Sequence, residues 1–192
     1  MALPRLCISE ENKDGMVLKR IYFPGLAVLF LLLIWFLRPV ILIQVQTLNT
    51  GEILYLREIQ PGYNFATLIR HSVHLTPVYE YYSIDNDGRI IVTGTRFQDL
   101  GWGVPSTFED DFRFENNFMV IENMNKHIEF VPFRISYIAN PHLLLDDCKR
   151  DIDLAAMFDN WERIDISAKK EPYIFYLFRG EKDVFPEKDK KR

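Results

Sequence analysis

His71 and Glu80 are the residues of this 192-residue chain best suited to chemistry. An imidazole titrates near neutral pH, and a carboxylate can orient it or exchange a proton with it. Either role requires the two side chains to meet, and the local pattern predicts that they do. Apolar residues alternate along Phe65, Ile69 and Val73, then along Val78, Tyr82 and Ile84. That is the period-two mark of half-buried strands. His74-Leu75-Thr76-Pro77 reads as the turn between them, because Pro77 cannot donate to a ladder. With that loop, Val73 faces Val78, His71 faces Glu80 and Ile69 faces Tyr82, at Cβ separations of about 4.5–5.5 Å. The same alternation puts His71 and Glu80 on the core face. A carboxylate there must be paired or protonated. Two readings follow: a polar pin that fixes hairpin register, or a ligand-binding or proton-transfer site. Arg70 and Ser72 point to the opposite face, which disfavours a Ser-His-Glu triad.

The elements that must position this pair extend it to a third strand. Asp85-Asn86-Asp87-Gly88 is a strong hairpin signal, leading into a strand from Arg89 to Phe97. Gly101-Trp102-Gly103-Val104-Pro105 follows. Glycines around a tryptophan indicate positive φ or a close backbone approach. The loop lacks the lysine and the following helix of a phosphate loop. Trp102 is either a packed lid or a surface on which a ligand stacks. Arg70 and Arg96 supply cations that suit an organic anion. The supporting set around the polar pair is therefore Arg70, Ser72, Tyr82, Arg96, Gly101, Trp102 and Gly103.

His71-Ser72-Val73, Pro77-Val78, Glu80, Tyr82, Phe97 and Gly101-x-Gly103-x-Pro105 together resemble the domain of unknown function (DUF) 1850 family. The resemblance covers roughly residues 40 to 180 and is sharpest from Arg70 to Pro105. Trp102 stands where the family has a small residue. The resemblance implies a small exported protein, often encoded beside the membrane permease of a TAXI-type TRAP transporter. It implies no established activity.

Composition limits the function classes. Aromatic residues make up 14% of the chain, with 15 Phe and 9 Tyr, which suits strands. The net charge of −4 argues against nucleic acid, since phosphate binding needs a basic footprint. Cys7 and Cys148 are the only cysteines. They flank the apolar run described next, so they do not bridge each other. Neither has metal-ligand spacing, and no cofactor motif occurs.

Residues 1–20 are polar and end in Lys19-Arg20, and Ile21 to Leu37 is free of charge. As a helix that run reaches about 25 Å, slightly short of the ~30 Å hydrocarbon layer; Lys19, Arg20 and Arg38 can snorkel. Tyr22 and Trp35 sit near its two ends, as interfacial aromatics do. Arg38-Pro39-Val40-Ile41 is a poor cleavage site, so residues 21–38 read as an uncleaved signal anchor. The basic flank places the N-terminus in the cytoplasm. The chain is then an inner-membrane protein with one pass and an extracytoplasmic domain.

That domain, residues 40–180, reads as mainly β: an antiparallel sandwich or partly open barrel with one short helix. Strands are expected at Val40 to Thr47, Glu52 to Glu58 and Phe112 to Phe114. Phe118 to Glu122 and His127 to Val131 read as a hairpin, and Phe133 to Ile138 as a further strand. Asp151 to Asn160 is the helix, and Trp161 to Ala168 and Tyr173 to Phe178 are the last strands. His127 reads as a surface histidine, and His142 as a loop residue. Glu109-Asp110-Asp111 reads as a solvated turn, because its spacing matches no calcium loop. Residues 181–192 are a charged, mobile tail.

Three functions are open, in this order. The first is a non-enzymatic accessory protein beside a TAXI-type TRAP permease or its binding protein. The second is a domain that binds a small organic acid. The third is an enzyme using His71 and Glu80, which lacks a nucleophile, metal set or cofactor motif within reach.

Overall fold

The computed structural model describes residues 14–71, 74–99 and 111–185, with side chains except at 14–24 and 111. Helix α1 spans Asp14–Leu37. Strands β1 (Pro39–Thr47), β2 (Ile53–Ile59), β3 (Asn64–Arg70), β4 (Pro77–Ile84) and β5 (Ile90–Phe97) follow. Then come β6 (Asp111–Glu115), β7 (Phe118–Glu122), β8 (Lys126–Ile128), β9 (Phe130–Arg134), β10 (His142–Leu145) and β11 (Arg150–Asp153). The chain continues through β12 (Arg163–Pro172), helix α2 (Tyr173–Arg179) and β13 (Lys182–Asp183). Among the described residues no helix is long and apolar enough to cross a membrane.

The fold is mainly β and every ladder is antiparallel. Five strands run β13-β2-β1-β12-β9 in one sheet. The other sheet has eight, ordered β11-β10-β3-β4-β5-β7-β6, with β8 also on β5. Neither order closes a barrel. One core joins the sheets: Ile41, Ile43, Val45 and Ile166 from the smaller meet Phe65, Tyr82, Ile84 and Leu143 from the larger.

β1 explains its own sequence. Its apolar run, Val40-Ile41-Leu42-Ile43, is buried throughout, as in a strand covered on both faces. Ile41 and Ile43 meet the shared core. Val40 and Leu42 pack with Leu56 beneath Tyr173 and Tyr176. That packing corrects the last expected strand. Tyr173-Ile174-Phe175-Tyr176-Leu177-Phe178 is apolar at every position, so its period is ambiguous. The two tyrosines that touch β1 are three apart, the helical repeat. Pro172 ends β12 and precedes the helix, and Gly180 closes it at φ 71°.

Three other expectations are corrected. The helix at Asp151 to Asn160 is instead strand β11 followed by turns; Leu143 and Ile152 pair across it and both reach the core. The hairpin of Phe118 to Glu122 with His127 to Val131 does not form. β7 and β8 take successive halves of one edge of β5, at Thr95–Phe97 and Ile90–Val92. β9 then crosses to the smaller sheet and pairs with β12. Residues 181–185 are not tail: β13 adds to β2, and buried Phe185 stacks on Tyr55 at 6.0 Å.

Candidate functional site

β3 and β4 pair in a register four residues from the expected one. Ile69 faces Val78, Thr67 faces Glu80 and Phe65 faces Tyr82. The expected rung between His71 and Glu80 is therefore corrected. The reason lies at the end of β3. Arg70 N–H donates to Ala139 O at 2.6 Å, and His71 N–H turns to Thr76 O at 2.8 Å. Pro77 opens β4 opposite Arg70, so the loop starts at His71 and runs to Thr76. An even slip keeps the parity of each side chain, but Glu80 is exposed, which corrects its expected place in the core.

His71 is buried and organises this loop. Its carbonyl accepts from Leu75 N–H at 2.8 Å, and its Nδ1 accepts from His74 N–H at 3.3 Å. The two imidazoles lie 5.2 Å apart. Glu80 is exposed, and its carboxylate accepts from the Tyr82 hydroxyl at 2.8 Å. Burial pushes the Tyr82 hydroxyl well above the usual phenol range, and the Glu80 charge adds to it. Ser72, Val73, Gly101, Trp102 and Gly103 lie outside the described residues, as do Glu109 and Asp110 of the acidic patch.

Arg96 is placed differently. It alternates with Phe97, which faces inward, so it belongs to the outer face of the larger sheet. Across the ladder it faces Tyr79 on β4 and Val120 on β7. Its guanidinium carbon sits 4.1 Å from the centroid of the Phe118 ring. Tyr79 lies 6.3 Å from Phe118 and 6.3 Å from Tyr81, centroid to centroid. Arg96 is thus the cation of an aromatic row. Its Nε is buried with no hydrogen-bond partner, and among the described residues no carboxylate pairs with it. Stacking leaves the edge of a guanidinium group off the ring, and here that group also hydrogen-bonds the Tyr81 side chain.

A cavity of about 330 Å³ opens beside this row, lined by Asn64, Tyr81, Gly94, Val120 and Cys148 among others. At Gly94 β7 comes close to β5: a Cβ there would meet Ile121 O at 2.7 Å. β5 bulges at this point, where its pairing shifts between Tyr81 and Tyr82. Tyr81 connects cavity and row. Burial raises its hydroxyl pKa, and the charge of Arg96 opposes that rise.

A second polar group lies on the same face. His142 pairs through Nδ1 with Asp151 Oδ1 at 2.7 Å, and Asn140 Nδ2 approaches its Nε2 at 2.9 Å. If the amide donates, Nδ1 carries the proton and donates its hydrogen bond to Asp151 Oδ1. Leu68, Arg70, Leu75, Pro77, Asn140 and His142 line a hollow of about 370 Å³. The structure brings Arg70 to this hollow and Arg96 to the aromatic row. Among the described residues no group of histidine, cysteine and carboxylate could hold a metal ion.

Sequence reasoning missed Tyr79, Tyr81, Phe118 and the His142–Asp151 pair. The signal for the first two was present: they occupy the other parity of the strand that carries Val78, Glu80 and Tyr82.

Residues 65–152 match the family model described as a domain of unknown function, DUF1850. This segment belongs to the DUF1850 family. No curated protein and no solved structure matches the chain. The DUF1850 segment coincides, to within one residue at each end, with the span of the eight-stranded sheet, Asn64 to Asp153. Of the smaller sheet it includes only β9.

Proposed function

We propose that the chain is a non-enzymatic, membrane-anchored accessory protein whose larger sheet binds a small organic anion on its outer face. The observation that carries the reading is Arg96: a guanidinium stacked on Phe118 beside Tyr81, with no carboxylate partner among the described residues, in an aromatic row. Arginine donors match carboxylates in a fork geometry. Tyr79, Tyr81 and Phe118 favour a ligand with an apolar or flat body behind its charged end. A cavity of about 330 Å³ falls at the small end of ligand sites.

The anchor is residues 21–38, and the domain lies outside the cytoplasm. A single residue, Arg38, separates α1 from β1. So short a tether holds the domain at the bilayer surface, within reach of a permease. The family resemblance supports a TAXI-type TRAP permease or its binding protein as that neighbour. A His71–Glu80 acid–base pair would need a rung that the ladder does not supply.

The test is a thermal-shift screen of aliphatic and aromatic carboxylates on the full chain in detergent. Ligands should raise the midpoint in wild type and not in Arg96→Gln. A flat response across the screen overturns the ligand. Pull-down from native membranes should recover a permease; bait alone counts against the accessory role.

A further inference from the structure

Exposed large apolar side chains are concentrated in two elements. α1 exposes ten between Leu26 and Leu37. α2 exposes Phe175, Leu177 and Phe178, the last at 83%. These two patches are joined. Trp35 meets Tyr173 edge to face at 5.0 Å, and Tyr173 N–H donates to Arg38 O at 2.9 Å. The Arg38 guanidinium carbon lies 4.1 Å from the centroid of the Tyr173 ring.

α2 is amphipathic in a particular sense. Tyr173 and Tyr176 pack onto Val40, Leu42 and Leu56. The rest of its surface carries Phe175 and Phe178, on the opposite face, and Leu177, at the flank, into the open. An ordinary surface helix shows polar residues there. The residues at the joint are Trp35, Arg38, Tyr173 and Tyr176, the side chains that settle at the boundary between headgroups and hydrocarbon. Arg179 lies at the C-terminal end of α2, ion-paired with Glu171.

We propose that α2 is a second membrane element: its face of Phe175, Leu177 and Phe178 inserts into the outer boundary of the same bilayer that α1 spans. The inference rests on α1 being the anchor. The occupant is lipid, because the apolar surface of α2 continues that of α1 through Trp35 and Tyr173, and one bilayer covers both. Interfacial helices of this kind bury their apolar side by about 5–10 Å.

The test uses the full chain in vesicles of phosphatidylcholine and phosphatidylglycerol, with Cys7 and Cys148 replaced by serine. A fluorophore is placed singly through Phe178→Cys, Leu31→Cys or Phe114→Cys, and lipids with a nitroxide at a shallow or deep position quench it. The label at 178 should lose most of its emission to the shallow quencher. The label at 31 should respond mainly to the deep one, and the label at 114 to neither. If 31 is quenched and 178 is as bright as 114, the proposal for α2 fails and the anchor stands. If 31 is not quenched, the anchor fails and the proposal with it. Loss of quenching at 178 only when a second copy or a permease is added would assign the face to protein and overturn lipid as the occupant.

Discussion

The smaller sheet covers its back with its own chain, whereas the back of the larger sheet is only partly covered by the described residues. Behind β1, Val40, Leu42 and Leu56 lie under Tyr173 and Tyr176 of α2. Behind β3, β4, β5 and β7, the side chains of Leu68, Tyr79, Tyr81, Arg96 and Phe118 are only half-buried, with no helix over them among the described residues. The two sheets spend the same kind of strand on different tasks. A back sealed by tyrosine and leucine gives stability. A back that sets an arginine among half-buried aromatic rings is the surface proposed for recognition. The family segment coincides with the larger sheet, and the sealed sheet adjoins α1.

The comparison breaks if the sheets fold separately. Phe65 and Ile43 are both fully buried in the shared core, one from each sheet. Phe65→Ala should cost about 3–5 kcal/mol and Ile43→Ala about 2–5 kcal/mol. Each should lower a single unfolding transition seen in urea by both fluorescence and far-UV circular dichroism. Two separate transitions would show that the core does not couple the sheets.

A smaller effect tests the close approach of β7 to β5. Gly94→Ala places a Cβ 2.7 Å from Ile121 O, a backbone atom that must move. The overpacking should cost about 1–3 kcal/mol and weaken carboxylate binding, both read from urea midpoints and titration calorimetry. An unchanged midpoint would mean that β7 shifts freely.

Alkaline pH gives a graded test. Tyr63 and Tyr82 are held neutral chiefly by burial, far above the ordinary value of 10.0. Unfolding restores that value, so above pH 10 the unfolded chain binds fewer protons than the folded one, and stability falls as pH rises. Below pH 10 this contribution is fully present. Tyr82→Phe should flatten the decline measured between pH 10 and 11, and an unaltered slope would show that Tyr82 is hydrated.

The smallest change in stability is expected at the site that matters most for binding. Arg96→Gln should lower the unfolding free energy by about 1 kcal/mol at most, the worth of its stacking on Phe118, because no ion pair is lost among the described residues. It should nevertheless abolish the carboxylate-dependent thermal shift. A large loss of stability would make Arg96 part of the scaffold instead.

The strands were legible where one face was buried and one was not. Val78, Tyr82 and Ile84 alternate clearly, and β4 runs Pro77–Ile84 as the pattern indicates. The register was not legible, because an extended loop and a tight one differ here by an even slip. Each therefore satisfies the same facial pattern. Only Arg70 N–H turning to Ala139, far along the chain, decides between them. α2 was hidden for the opposite reason. Its packed side and its exposed side are both largely apolar, so no period emerges. Arg96 was visible as a cation, but its setting depends on Phe118, brought beside it by β7.

One junction remains, between Leu37 and Pro39. β1 is hydrogen-bonded on one side to β2 and on the other to β12, and it leaves α1 after Arg38 alone. A linker that short has no slack in which to swivel. Any tilt or turn of α1 would be passed to the middle of a sheet and from there to the core the two sheets share. In the proposed arrangement, α1 and the sheets would answer events within the bilayer as one rigid lever.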